Sequence, residues 1–178
     1  MRRAILALLS LILIIPCTLN AQDKEALIAS AVSAAPASVS EDATVMDWQM
    51  NVLRQGTNAW TCLPDMPDSP GNDPMCLDEP WLNWAHAWMT KTKPSYTQIG
   101  FGYMLRGDSP ASNIDPFATG PAADNEWISD AVPHIMMLVP DPSVLSGVST
   151  DPKNGGPWVM WRGTPYVHVM IPTSKKGM

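Results

Sequence analysis

The sequence predicts an α+β fold, with an antiparallel sheet of about five to seven strands and one main amphipathic helix packed on a face. Short β-rich runs separated by turn residues predict the strands. A stripe of tryptophans at helical spacing predicts the helix. Without a predicted leader, residues 1–21, the 178-residue chain keeps about 157 residues, which is enough for one domain with one core.

The N-terminus predicts a secretory signal peptide over residues 1–21. Residues 1–3 are a basic start, residues 4–15 are apolar except for Ser10, and Ala21 provides a small-residue exit. The apolar run is too short to span a bilayer, which takes about twenty residues. We therefore expect Sec-type export by a bacterium to the periplasm or the extracellular space, with no membrane attachment once the leader is removed.

The predicted mature chain is strongly acidic. Removal of the leader lowers Lys and Arg from 11 to 9 while Asp and Glu stay at 17, which gives a net charge of −8. Such a chain offers no basic stripe for phosphate contacts, which dominate affinity for nucleic acid. Anionic membranes would repel it as well. We expect neither nucleic acid nor membrane as a partner, and the composition does not identify a small ligand or protein partner.

Residues 22–42 are predicted to be a flexible or weakly helical lead-in, because Ser, Val and Pro36 interrupt an Ala-rich stretch. A single globular domain is predicted over residues 43–174. It opens with three short extended runs separated by turn residues, a pattern that favours a meander. These runs are residues 43–48, 51–54 and 58–62.

Two cysteines remain in the predicted mature chain, Cys62 and Cys76. In an oxidising compartment an isolated pair at this spacing predicts a disulfide. A redox-active pair usually has only two intervening residues. Closing a loop of about 15 residues removes roughly 3 kcal/mol of unfolded-state entropy in the chain-entropy model.

The main helix is predicted after Asp78, a suitable N-cap, with Pro80 in the first turn. One face carries Trp81, Trp84, Ala85 and Trp88, and the opposite face carries Asn83, His86, Ala87 and Thr90. We expect the tryptophan face to be the core face, because one helix must bury something against the sheet. A sugar-stacking platform is the alternative interpretation.

A strand is predicted over residues 99–106. The stretch 107–133 is polar, rich in Asp, Asn, Gly and Pro, and predicted to be irregular. A turn of helix is expected within it near residues 124–129, with Trp127 as its anchor.

The last third of the chain predicts further strands. Residues 134–139 form one strand, and residues 158–162 and 166–171 form a hairpin that turns through residues 163–165. This turn length predicts that Met160 faces His168 in the hairpin.

Three stretches of the chain resemble a family of exported bacterial hypothetical proteins. They are DWQMNVLRQGTNAWTCLPDMP (residues 47–67), PHIMMLVPDP (133–142) and GGPWVMWRGTPYVHVMIP (155–172). The resemblance extends over most of the predicted mature chain. It implies export, and no known activity, fold or ligand comes with it.

The motif His-x-Met occurs twice, as His134 with Met136 and as His168 with Met170. Alternation along a strand puts both residues of each motif on one face. Val167 and its alternating partners take the other face, which we expect to be the core face. The His-x-Met face is therefore expected to be the non-core face.

Thioethers beside imidazole suit Cu(I), whereas Mg²⁺ and Ca²⁺ require oxygen ligands. The sequence predicts a Cu(I) site whose ligands are His134, Met136, His168 and Met170, with Met160 as an additional ligand. The chain resembles periplasmic copper chaperones in these residue types, two Met, one His and a nearby Trp on strands. Packing of the methionines in the core is the alternative interpretation.

Two other functions stay open. A secreted hydrolase would need a base and carboxylates, and no motif such as G-x-S-x-G supports one. Its available residues are His134 or His168 with Asp124 or Glu126. A carbohydrate- or partner-binding module would use exposed tryptophans, Trp127 and Trp158. We expect an exported protein that binds a ligand, with the balance against an enzyme.

Overall fold

The computed structural model describes residues 21–129 and 132–174. The predicted signal peptide, residues 1–21, lies outside the described residues apart from its last position, where the first helix begins. Among the described helices, none has both the length and the apolar character needed to cross a membrane.

The described residues form an α+β fold, as predicted. The helices are α1 (Ala21–Val32), α2 (Ala37–Ser40), α3 (Glu79–Met89) and a 3₁₀ helix (Pro142–Leu145). The strands are β1 (Thr44–Met46), β2 (Val52–Arg54), β3 (Thr61–Leu63), β4 (Met75–Leu77), β5 (Gly100–Met104), β6 (Ala111–Ser112), β7 (Trp127–Ile128), β8 (His134–Leu138), β9 (Trp158–Met160) and β10 (His168–Pro172).

Eight strands form the main sheet, in the order β2-β1-β3-β4-β5-β8-β10-β9. The β1–β3 pair is parallel and the other pairs are antiparallel. The main sheet therefore has more strands than the five to seven predicted, and it is mixed where an antiparallel sheet is predicted. After the β1–β2 hairpin the chain returns across β1 and pairs on its other side. It passes so close that a Cβ added at Gly56 would collide with the backbone of Asp42, Ala43 and Thr44.

The segment 22–42 packs on the sheet as α1 and α2. Ala31 and Ala34 are fully buried against Val45 on β1 and the disulfide. Backbone groups extend the attachment, since Leu105 N donates to Ala34 O at 2.9 Å. The first part of the chain beyond the predicted leader therefore covers one end of the sheet on the face opposite α3.

Cys62 and Cys76 form the predicted disulfide. They occupy directly opposed positions of the β3–β4 pair, with Cα atoms 4.0 Å apart. Both residues are fully buried under α1. The bond thus links two neighbouring strands inside a core and encloses the acidic, proline-rich turn between them.

The tryptophan helix begins as predicted, because the Asp78 carboxylate accepts a hydrogen bond from Trp81 N at 3.1 Å. Trp81 and Trp84 are buried, which confirms the core interpretation of this face. Ala87, predicted on the polar side, is buried as well. The buried residues of α3 are therefore spaced three positions apart, so the buried face of the helix includes Ala87 and not Ala85.

α3 lies close to the sheet because two glycines of β5 lie beneath it. A Cβ added at Gly100 would come within 2.8 Å of Pro80 Cβ, and one at Gly102 within 2.9 Å of Leu77 and Met136 side-chain atoms. The core on this face is largely aromatic and sulfur-rich. Its buried members are Leu77, Trp81, Trp84, Met104, Met136, Leu138, Trp158, Met160, Trp161, Tyr166 and Met170.

The opposite face of β9 and of the start of β10 is buried too, and that of β8 is half-buried. Val159, Val167 and Val169 pack there against Leu145 of the 3₁₀ helix. This end of the sheet is therefore covered on both sides, which is unusual for strands in antiparallel pairs, whose sheets commonly expose one face.

The predicted irregular stretch 107–133 contains a two-stranded ribbon, β6 with β7. Ser112 pairs with Trp127, and Ala111 pairs with Ile128. The turn of helix expected near residues 124–129 is therefore wrong, because backbone pairing with β6 holds Trp127 in an extended conformation. The ribbon connects the main sheet to the loops around the candidate site.

Candidate functional site

The five predicted ligands lie on three neighbouring strands. Met136 on β8 is directly opposite Met170 on β10. On the other side of β10, Met160 is opposite His168 and Trp158 is opposite Met170. The predicted hairpin register is therefore confirmed, but β9 ends earlier and β10 begins later than predicted, and the connection runs through residues 161–167.

The sheet face that carries these residues is the one beneath α3. His134 is 1% exposed and His168 is 3% exposed, and the three methionines are also buried. The prediction of a non-core face is wrong. Alternation separates the two faces of a strand, but it does not reveal that a helix covers one and the 3₁₀ segment covers the other.

The strand register separates the two histidines. His134 pairs with Pro172, which is four residues beyond His168 on β10. At about 3.3 Å per residue the two side chains start about 13 Å apart along the strands. Met136 and Met170 lie in the row between them. His134 is therefore a neighbour of Met170, and His168 is a neighbour of Met160.

His168 is enclosed by aromatic rings. Its ring meets Trp161, Trp84 and Trp81 edge-on, with centroid distances of 5.0, 5.3 and 5.4 Å. Its Nδ1 lies 2.9 Å from the carbonyl oxygen of Tyr166. Burial lowers the pKa of His168 to about 4, against the opposing effect of that hydrogen bond. The imidazole is neutral at pH 7 and takes part in core packing.

His134 has a different environment. Its Nδ1 lies 2.7 Å from the carbonyl oxygen of Val132. A carbonyl only accepts, so Nδ1 carries the proton and Nε2 presents a lone pair. Nε2 is buried and has no hydrogen-bond partner among the described residues. Burial lowers the pKa of His134, and this favours the neutral form with the free lone pair.

The carboxyl group of Asp108 lies next to this nitrogen. Its Oδ2 lies 3.9 Å from His134 Nε2, and its side chain is 26% exposed. Burial raises the pKa of Asp108 to about 7, the hydrogen bond from Ser109 N opposes the rise, and the charge of Asp73 adds to it. The sequence analysis missed Asp108. The turn signal Gly107-Asp108-Ser109 was the one local cue, and it indicates structure, not chemistry.

A cleft of about 730 Å³ opens beside His134. Met160, Met170 and Trp158 line it from the sheet, and the β6–β7 ribbon and the 152–156 loop form its walls. Met136 and His168 are not among its lining residues. The methyl group of Met136 lies over Gly102 of β5 instead. The cleft therefore reaches one of the two histidines and two of the three methionines.

Asn113 fixes the walls of this cleft. It is 1% exposed, and its side-chain oxygen accepts a hydrogen bond from Trp158 Nε1 at 3.1 Å. Its side-chain nitrogen donates to Glu126 Oε2 at 2.7 Å and to Thr150 O at 2.9 Å. The buried side-chain amide of Asn113 thus joins Trp158 of the sheet to Glu126 beside the β6–β7 ribbon and to the loop that contains Thr150. Sequence reasoning missed this residue, because a lone Asn in a polar stretch carries no distinguishing pattern.

The residues of the other predicted functions separate into two groups. Glu126 is bonded to Asn113 and Asp124 is exposed, and no contact joins either carboxylate to a histidine among the described residues. Trp127 and Trp158 both line the cleft, but the prediction that both are exposed is wrong, because Trp158 is buried and Trp127 is half-buried. In the described part of the chain, no three His, Cys, Asp or Glu side chains cluster in a way that could hold a metal ion.

Comparison with known proteins gives no assignment. No family model, no curated protein and no solved structure matches the chain. The fold and the site define an α+β protein with a preformed cleft beside a sheet that is buried on both faces.

Proposed function

We propose that the protein is an exported binding protein that takes up Cu(I) at the base of the cleft. The observation that carries the proposal is the buried Nε2 lone pair of His134, which no described hydrogen-bond donor satisfies. Among the described residues, Trp81 Nε1 and Trp84 Nε1 are also buried without a hydrogen-bond partner, but neither tryptophan lines the cleft. His134 Nε2 is the one such described atom whose residue lines a cavity that an ion could enter. A predicted leader and a disulfide support export.

Thioethers beside the imidazole make the site soft. Met170 is the diagonal neighbour of His134 across the β8–β10 pair, where Cβ atoms lie roughly 7–8 Å apart or somewhat less. Met136 is two residues from His134 on the same strand and directly opposite Met170. Imidazole with two thioethers is a donor set that favours Cu(I) over Mg²⁺, Ca²⁺ and Mn²⁺.

The proposed ligand set is narrower than the one that the sequence predicts. It contains His134, Met170 and Met136, with Met160 on the wall along which an ion would enter. Met136 would have to turn its thioether away from β5, a change that its flexible side chain allows. His168 is left out of the proposed ligand set, because it lies about 13 Å from His134 along the strands.

An anaerobic Cu(I) titration against a chromophoric Cu(I) chelator tests the proposal. We expect one site per chain, weakened about tenfold or more in His134→Ala. Met170→Leu should weaken it to a similar degree, because leucine keeps the volume and removes the sulfur. His86→Ala is the matched control. Because His86 is exposed on α3, this variant should bind Cu(I) with the affinity of wild type.

His168→Phe separates the narrow ligand set from the wide one. If the narrow set is right, this variant binds Cu(I) within about twofold of wild type. Unchanged affinity in both His134→Ala and Met170→Leu would refute a copper site at the cleft.

A further inference from the structure

The cleft is much larger than a metal ion needs. Its volume of about 730 Å³ falls in the range of about 300–1,000 Å³ typical of small-molecule sites. Its walls are preformed, because Asn113 joins the two loops to the indole of Trp158. These two features point to an organic ligand, which goes beyond the proposed function.

The apolar surface of the cleft suits a flat ring. Trp127 and Trp158 line it together with Ile128, Met160 and Met170. Aromatic rings stack on indoles, and thioethers make favourable contacts with ring edges. The hydrogen bond from Trp158 Nε1 to Asn113 already fixes the Trp158 side chain. A ligand ring in this cleft would therefore be covered without any rearrangement of the fold.

The polar groups differ between the base and the rim. At the base, His134 Nε2 accepts a hydrogen bond and cannot donate one, because the proton of the ring is on Nδ1. At the rim, Lys153 is exposed and is the one cationic side chain among the described lining residues. It forms no ion pair with any described residue. The carboxyl group of Asp108 beside His134 provides no positive charge for an anion at the base.

We propose that the cleft binds a small phenolic carboxylate, without any metal. The ring lies between Trp127 and Trp158, the hydroxyl donates to His134 Nε2, and the carboxylate is directed to Lys153 at the rim. The hydroxyl supplies the donor that the buried nitrogen lacks, and the carboxylate pairs with the unpaired cation.

Isothermal titration calorimetry with three matched compounds tests the chemistry on protein that has never been exposed to copper. The probe is 4-hydroxyphenylacetate; phenylacetate lacks the donor, and tyramine replaces the carboxylate by an amine. We expect 1:1 binding of 4-hydroxyphenylacetate. Phenylacetate should bind about tenfold more weakly, because it loses one buried hydrogen bond, and tyramine about two- to fivefold more weakly, because it loses one exposed charge pair.

Two variants assign the two ends of the ligand. In His134→Leu, 4-hydroxyphenylacetate and phenylacetate should bind equally, because the acceptor for the hydroxyl is gone. In Lys153→Gln, the binding of 4-hydroxyphenylacetate should weaken about two- to fivefold, because one exposed charge pair is lost. Lys93→Gln, which changes an exposed lysine away from the cleft, should bind it as wild type does.

The outcomes distinguish this inference from the copper proposal. Lys153→Gln should weaken the binding of the phenolic acid and leave that of Cu(I) unchanged, whereas Met136→Leu should weaken the binding of Cu(I) and leave that of the phenolic acid unchanged. Absence of saturable heat with 4-hydroxyphenylacetate, or equal affinity of wild type for phenylacetate, would overturn the inference and leave the copper proposal standing.

Discussion

The two buried histidines of the sheet share one local arrangement. His134 and His168 each begin a His-x-Met motif, lie on the face beneath α3 and are at most 3% exposed. In each ring Nδ1 contacts the carbonyl oxygen two residues earlier in the chain. The same local contact with a backbone carbonyl thus sets the same tautomer in both rings.

Their surroundings are opposite. Three tryptophan rings enclose His168, whereas the second nitrogen of His134 lies beside a carboxylate at the base of a cleft. The local contact with a backbone carbonyl oxygen decides which nitrogen of each histidine carries the proton. The tertiary contacts decide whether the other nitrogen is available for chemistry.

The largest effect is expected from opening the enclosure of His168. Trp84 stacks on Trp161 with an interplanar angle of 6°, and it meets His168 and Tyr166 edge-on. Trp84→Ala should lower the free energy of unfolding by about 3–5 kcal/mol in urea denaturation, because it leaves a large cavity.

Met89→Ala on the same helix is the control for Trp84→Ala. Met89 is 56% exposed, and the substitution should change stability by less than about 0.5 kcal/mol. A loss below about 1 kcal/mol in Trp84→Ala would show that the enclosure is not the rigid core described above.

A smaller loss of stability is expected near His134 when Asn113, which joins the walls of the cleft, is substituted. Asn113→Ala removes the acceptor of the buried Trp158 Nε1 and the donor to the backbone oxygen of Thr150, a residue that is exposed. Leaving the indole nitrogen unsatisfied should cost about 1–3 kcal/mol of unfolding free energy, whereas Thr150 O can bond to water. Binding at the cleft should weaken as well, and Trp84→Phe, which acts on the other region, should leave that binding within about twofold.

The sequence predicts the parts of this comparison that depend on local pattern. The α3 face follows from the spacing of Trp81 and Trp84, and the β9–β10 register follows from the length of the turn. The environment of His134 does not follow, because Asp108 reaches it only through the β5–β8 pairing of Met104 with His134. That pairing joins strands about 30 residues apart in the chain, and no periodicity encodes it.

Acidification should destabilise the metal-free protein through His168. The pKa of His168 is lowered to about 4, so below its ordinary pKa of 6.5 the unfolded chain binds a proton that the folded protein does not. Stability should therefore fall as pH decreases from 6.5 toward 4, by about 1.4 kcal/mol per pH unit for one such group. Between pH 6.5 and 5 this amounts to about 2 kcal/mol.

Other groups contribute to the slope of stability against pH, so the difference between variants is the quantity to measure. His134, whose pKa is also lowered, acts in the same direction. Asp108 acts in the opposite direction, because its raised pKa lets the folded protein hold a proton that the unfolded chain releases. His168→Gln should flatten the slope, and His86→Gln, exposed on α3, should not. An unchanged slope in His168→Gln would contradict the sealed environment.

The smallest effect on stability is expected from His134→Leu. The substitution removes the hydrogen bond to Val132 O, which contributes about 0.5–1.5 kcal/mol. It also removes the unsatisfied Nε2, whose desolvation costs about 1–3 kcal/mol in the folded state. The two terms oppose each other, so urea denaturation at pH 7 should give a free energy of unfolding within about 1 kcal/mol of wild type. His168→Leu, which loses the analogous hydrogen bond and three aromatic contacts, should cost clearly more. Equal losses in the two variants would mean that His134, like His168, is retained for packing, and that its open nitrogen has no ligand to bind.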